Sequence, residues 1–291
     1  VYCQVFMMKQ GEQKWRKVLY EDQGVPDNYV DVSFLSEMEK NRFCRKYNFM
    51  DLVKSSVVLT QKFTALSLFC LLWWNLSEGG ISPKLALTLS LQFLLLGYYI
   101  HSIMTSQTLK QVIHDFKTGV MLLCFTWFLS PVLRTLTHTI SSDTLYAMST
   151  FMGIGHLVFN DYGSSGMSVS NSVSFNMSVF MAVCLASRLE TTLDTFTTVV
   201  LALQIFGLWP ILRRLLFLHY PGHLRVITLI TSVVVLYLFT CLSWTAGMMY
   251  MVACVSVTFI FPALLVRMQP HKHNIHGPWD EAIVEDNSFD N

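Results

Sequence analysis

His156 and Asp161 stand in the order His156-Leu-Val-Phe-Asn-Asp161. This His-x4-Asp spacing is used by glycerolipid acyltransferases, where an Asp holds a His base that deprotonates a hydroxyl. Here the pattern lies in an apolar stretch, without the soluble domain that such chemistry uses, so the spacing alone is weak. Arg134 and Asp143 lie nearby in the chain. An Arg at the centre of a membrane helix costs about 2.5–3.5 kcal/mol, which a buried carboxylate partner would offset. Arg134, Asp143, His156 and Asp161 are therefore expected to form a structural polar network, with Arg134 paired to Asp143. A site for a lipid headgroup or for contact with another protein of a complex is the alternative for these residues. Lys62 is expected to face the interior or to snorkel.

Other chemistry is poorly supplied. His271, His273 and His276 could touch a metal, but no Cys or carboxylate cluster completes a site. The seven cysteines include no CxxC pair and lie mostly in apolar runs, as small hydrophobes do. There is no Asp-x-Asp, no P-loop, and no GxGxxG after a strand; Gly153-Ile-Gly155 falls inside a helix. No catalytic residue, metal or cofactor is expected.

The elements that must hold these residues follow from composition. The 291 residues are 53% apolar and 13% charged, with a mean hydropathy of +0.45. Soluble domains carry about 25% charged residues. Of the 39 charged residues, 23 lie in positions 1–55 and 268–291 and only 16 in positions 56–267. A strongly apolar middle between two polar ends excludes a single soluble domain, a disordered chain and a disulfide scaffold. A net charge of +1 and a pI near 7.7 do not suit a nucleic-acid partner.

At about 20 apolar residues per crossing, spans are expected near 56–76, 85–104, 118–139, 144–162, 168–187, 195–212, 226–243 and 245–266. The expected fold is all-α: a polytopic bundle of about eight transmembrane helices over 56–267. Twelve Lys and Arg residues near the membrane fall on the N-terminal side of such a bundle, against Lys84 and Arg188 opposite. That bias puts both termini in the cytoplasm. Residues 1–55 form a cytoplasmic segment, in which 33–50 suggests a basic amphipathic helix on the membrane surface. Residues 268–291 form a cytoplasmic tail.

In the fifth span Ser170, Ser174, Ser178, Ala182 and Ala186 recur every fourth residue and make one stripe. Small residues let helix backbones approach closely, so this helix is expected to be central.

Several stretches together resemble one family. They include Lys14-Trp15-Arg16-Lys17-Val18-Leu19-Tyr20-Glu21, Pro26-Asp27-Asn28-Tyr29-Val30-Asp31 and Ser130-Pro131-Val132-Leu133-Arg134-Thr135-Leu136-Thr137. Asp143-Thr144-Leu145-Tyr146-Ala147-Met148-Ser149, Gly155-His156-Leu157, Asp161-Tyr162-Gly163 and Cys184-Leu185-Ala186-Ser187-Arg188-Leu189 follow in order. Gln204-Ile205-Phe206 with Leu208-Trp209-Pro210, and Asn274-Ile275-His276-Gly277-Pro278-Trp279-Asp280-Glu281-Ala282, complete the set. Over nearly its whole length the chain looks like the PIG-C family, the C subunits of phosphatidylinositol N-acetylglucosaminyltransferase. The resemblance implies a non-catalytic, multi-pass subunit in the endoplasmic reticulum membrane. Its complex transfers N-acetylglucosamine from UDP-GlcNAc to phosphatidylinositol, the first step of glycosylphosphatidylinositol (GPI) anchor synthesis. The implied partners are a PIG-A-type catalytic glycosyltransferase, PIG-H, PIG-P, PIG-Q and PIG-Y, with phosphatidylinositol as the membrane lipid.

His276, Gly277, Pro278, Trp279, Asp280 and Glu281 are expected to dock the catalytic partner, since they join an aromatic anchor to charge near the membrane. The residues by themselves leave two other classes open. One is an autonomous membrane enzyme acting on lipid through His156 and Asp161; the other is a transporter.

Overall fold

Apolar stretches of this length have one stable solution in lipid, because a helix satisfies its own backbone. The computed structural model describes residues 47–137, 139–160 and 169–271, the pairs 39–40 and 275–276, and positions 22 and 24. Eight helical rods follow one another in the described residues. They are α1 (Phe49–Ser77), α2 (Pro83–Thr105), α3 (Leu109–Thr135) and α4 (Ser142–Val158), then α5 (Val169–Ala186), α6 (Thr192–His219), α7 (Pro221–Leu242) and α8 (Trp244–His271). Six of them, α1, α2, α3, α6, α7 and α8, are long and apolar enough to cross a membrane. The fourth and fifth expected spans correspond to the shorter α4 and α5, of 17 and 18 residues.

The boundaries are set by side chains that satisfy the first backbone N–H groups of each helix. Ser82 accepts from the Leu85 N–H at 3.4 Å, with Pro83 opening α2. Thr108 and Gln111 form a capping box, and this starts α3 at Leu109, nine residues before the apolar run. Ser141 and Thr191 cap α4 and α6 in the same way.

The chain divides into two compact units, Asn48–Val266 and the two ends Val1–Tyr47 with Arg267–Asn291. In the first, α6 is the hub: it packs on α1, α2, α3, α5 and α7. The core joins Phe69, Trp73 and Leu76 of α1 to Met181, Ala182 and Leu185 of α5 and to Leu201, Ala202 and Phe206 of α6. Ser174, Ser178, Ala182 and Ala186 are all buried, on the face of α5 that meets its neighbours. Ser170 is helical, and its side chain lies outside the described residues.

Two rods change pitch where a proline follows. Leu203–Leu208 and Ser256–Ile260 are π-helical, ahead of Pro210 and Pro262. Proline has no N–H for the carbonyl four residues back, so Phe206 and Thr258 each lose a partner. Ser56 Oγ donates to the Val53 carbonyl at 2.8 Å and lies 3.4 Å from the Thr258 carbonyl.

In the second unit, Glu39–Lys40 pairs antiparallel with Ile275–His276, Glu39 opposite His276 and Lys40 opposite Ile275. These strands are β1 and β2. The expected helix over 33–50 is thus replaced by strand at 39–40, where a partner from the other end of the chain takes up the backbone hydrogen bonds. Its last residues, Phe49 and Met50, already belong to α1, and residues 33–38 and 41–46 lie outside the described ones.

The turn from α7 to α8 is tight. A Cβ on Gly247 would stand 3.2 Å from both the backbone N and Cα of Thr240 and 2.4 Å from its methyl. Backbone cannot yield as a side chain can. Gly247→Ala is expected to destabilise the fold by about 1–3 kcal/mol, and Gly247→Leu to abolish recovery of monodisperse protein. Thermal denaturation in detergent, followed by size-exclusion chromatography, checks both.

Candidate functional site

The bundle interior is rich in hydroxyls, and a hydroxyl there has only the protein to bond to. Thr64 of α1 donates to the Thr60 carbonyl at 2.9 Å, which commits its single proton. Its oxygen then accepts from Ser232 of α7 at 3.0 Å and from the Tyr250 hydroxyl of α8 at 2.9 Å. Thr60 meets Thr258 Oγ1 at 3.0 Å. On the opposite side Trp73 Nε1 donates to the Leu185 carbonyl at 2.8 Å, tying α1 to α5.

His156 lies two residues before the end of α4 and is only 2% exposed. Its Nδ1 is 2.9 Å from the Ser174 carbonyl of α5, an acceptor, so Nδ1 carries the proton. Ser174 Oγ donates to the His156 carbonyl at 2.8 Å. The pair clasps α4 to α5, and the imidazole edge packs on Phe206 at 5.0 Å between ring centroids. Gly155 permits this approach, since a Cβ there would stand 2.5 Å from Met177 Sδ. Nε2 is buried without a hydrogen-bond partner. In the His-x4-Asp arrangement a carboxylate would orient the ring; here Ser174 occupies Nδ1. Asp161 lies outside the described residues.

Lys62 is buried in the first half of α1, 8% exposed. It lies within electrostatic range of Arg213 on α6 and of His156. Among the described residues it makes no hydrogen bond and no ion pair. Beside it Gln61 is 3% exposed, and neither its Oε1 nor its Nε2 is partnered. Gln204, in the π-helical turn, likewise buries an unpartnered Nε2.

The other expected positions are arranged differently. Arg134 and Asp143 are both exposed and form no ion pair with each other. The expected pairing is replaced by Arg188, whose guanidinium donates to the Thr137 carbonyl at 3.2 Å and to the Ile140 carbonyl. It thereby closes the loop after α3, helped by a 2.5 Å hydrogen bond between Thr137 and Ser187. In the docking segment, His276 is placed by its backbone in β2, whereas Gly277, Pro278, Trp279, Asp280 and Glu281 lie outside the described residues. Sequence reasoning missed Gln61 and Gln204 as buried polar side chains and Arg213 as a charge within range of Lys62. The available signal was a Gln61-Lys62 dipeptide inside an otherwise apolar helix.

The family described as phosphatidylinositol N-acetylglucosaminyltransferase matches residues 15–280. The chain belongs to this family. The match takes in the whole bundle, the buried polar cluster and both strands of the small sheet. The human C subunit of phosphatidylinositol N-acetylglucosaminyltransferase is 39% identical over 283 residues, covering 94% of each chain. The rat C subunit is 37% identical over 289 residues, covering 98% of this chain and 97% of its own length. A putative C subunit from Dictyostelium discoideum is 33% identical over 277 residues, covering 94% and 80%. No solved structure matches the chain.

Two double-mutant cycles separate the contacts that this phosphatidylinositol N-acetylglucosaminyltransferase family member makes from those it does not. His156→Leu and Ser174→Ala are expected to couple by about 0.5–3 kcal/mol, because they share hydrogen bonds. Arg134→Ala and Asp143→Ala are expected to be additive within about 0.5 kcal/mol. Thermal stability of the four single and two double variants in detergent is the measurement.

Proposed function

We propose that the chain is a non-catalytic membrane subunit of a complex that transfers N-acetylglucosamine from UDP-GlcNAc to phosphatidylinositol, the first step of GPI-anchor synthesis. The observation that carries this reading is the match to these relatives along nearly the full chain, on a fold that is a helical membrane bundle.

The division of labour follows from where the substrates reside. Phosphatidylinositol keeps its acyl chains in the bilayer, and the sugar nucleotide is dissolved in the cytosol. A bundle that holds the lipid side and a soluble enzyme docked on it turn a search into an oriented encounter. PIG-A-type catalytic and PIG-H, PIG-P, PIG-Q and PIG-Y subunits are the partners this reading names. The pairing of 39–40 with 275–276 supports both ends on one face of the membrane, and the Lys and Arg bias supports the cytoplasmic face. The endoplasmic reticulum is the membrane in which the reading places it. Docking of the catalytic partner is assigned to His276–Glu281, with Trp279 as its anchor.

Expression of this chain in cells lacking their own PIG-C protein is expected to restore synthesis of N-acetylglucosaminyl phosphatidylinositol. The purified chain alone is expected to show none. Trp279→Ala is expected to reduce co-purification of the glycosyltransferase at least tenfold, a loss of about 1.4 kcal/mol or more. Activity of the isolated chain, or full assembly by the Trp279 variant, would overturn the corresponding part.

A further inference from the structure

Of the six spanning rods, α2 is the least covered by the rest of the bundle. It packs on α6, and Ala86 and Ser90 are its only buried residues. Gly97 lets the two rods approach, since a Cβ there would stand 3.5 Å from Leu212 Cδ2. The opposite face of α2 carries Leu85, Leu89, Gln92, Leu96, Tyr99 and Ile103, all exposed. These recur at alternating steps of four and three residues. That is the seam along which two helices pack at a shallow left-handed crossing, in water and in lipid alike.

Gln92 interrupts the apolar seam. It stands about 14 Å from the Pro83 end of α2 and about 20 Å from the Thr105 end. It therefore lies near the middle of a hydrocarbon layer about 30 Å thick, and its side chain reaches neither membrane surface. Among the described residues it makes no hydrogen bond. Thr88, exposed one turn away, is satisfied locally, because its hydroxyl donates to the Leu85 carbonyl at 2.9 Å. The longer amide has no such local solution.

A primary amide carries two donors and a carbonyl acceptor. Lipid chains offer a partner to none of them, and leaving them unmade at that depth is unfavourable. The groups that satisfy an amide there belong to another helix. One polar residue in an apolar seam also fixes register and partner, at some cost in stability.

We propose that α2 docks a transmembrane helix of another subunit of the complex along this seam, with Gln92 hydrogen-bonded to a polar side chain of that helix at the same depth. This rests on the subunit role proposed above and adds the face that receives a partner. Such partners share this membrane, and an apolar helix with one hydrogen-bonding side chain at mid-depth complements this face.

The test uses the full chain in membranes of cells that make the complex. A photoreactive residue in place of Leu89 or Leu96 is activated before solubilisation, and its products are identified by mass spectrometry. Cross-links are expected to a membrane-spanning segment of a co-purifying subunit. Recovery of that subunit with the chain is then compared among variants in mild detergent. Gln92→Leu is expected to lower recovery about threefold to tenfold, Gln92→Asn to keep most of it, and Thr88→Val to leave it unchanged. Gln92 makes no hydrogen bond within its own chain, so purified Gln92→Leu is expected to denature no earlier than wild type on heating.

Wild-type recovery of the subunit with Gln92→Leu would overturn the proposal. So would cross-links to lipid alone, or to a second copy of this chain, which would make the face a dimer contact. A purified Gln92→Leu chain that unfolds earlier than wild type would assign the amide to the fold and would also overturn it. A wild-type chain that brings down no other subunit would overturn the complex reading and this proposal with it. Subunits that stay bound to Gln92→Leu overturn the docking seam alone, so the two failures are distinguishable.

Discussion

The bundle depends on one constraint: inside lipid, a polar atom has no water to fall back on. Most interior hydroxyls therefore take a partner as the helices settle; Ser149 and Thr198 are the buried exceptions among the described residues. The Thr64 oxygen shows how this organises the fold, since its two incoming hydrogen bonds come from α7 and α8. Rotating α1 by one residue would break both. The His156–Ser174 clasp does the same between α4 and α5. Apolar contact between helices gives little direction in a solvent as apolar as the side chains. Polar contacts supply the register, and small residues such as Gly155 and Gly247 allow the approach.

Against that background the groups without partners carry meaning. Most of the interior is satisfied by serine and threonine hydroxyls bonding to carbonyls one turn back, a local solution open to any helix. A glutamine or lysine side chain reaches further and cannot be satisfied so locally. Gln61 and Lys62 sit where α4 and α6 approach α1, and α6 is π-helical at Gln204. A wider turn there displaces side chains from the regular helical faces, and it lies ahead of the proline in Leu208-Trp209-Pro210.

Helix identity and order were legible in the sequence because each rod needs a long apolar stretch. The α3 start was not, since a capping box at Thr108 and Gln111 carries the helix beyond its apolar part. Ser174, Ser178, Ala182 and Ala186 could be placed on one face from their period alone, and they are buried. The Arg134–Asp143 pairing illustrates the opposite case. Closeness in sequence across a loop says nothing about facing, and it is Arg188, from a loop fifty residues on, that reaches the Thr137 and Ile140 carbonyls between α3 and α4. The surroundings of Lys62 were hidden for the same reason: they come from α4 and α6, which only the folded bundle brings to α1. Family resemblance was legible because its short stretches run in order through nearly the whole chain.

The two-residue pairing of β1 with β2 has a consequence in time. Strands this short are not stable alone, and their partners lie at opposite ends of a chain made from its N-terminus onward. Glu39 and Lys40 leave the ribosome more than two hundred residues before Ile275 and His276. The small sheet therefore cannot close until all eight rods have been synthesised. The polar unit thus forms only after the last of these rods has been made, so its presence reports on all the helices that precede it.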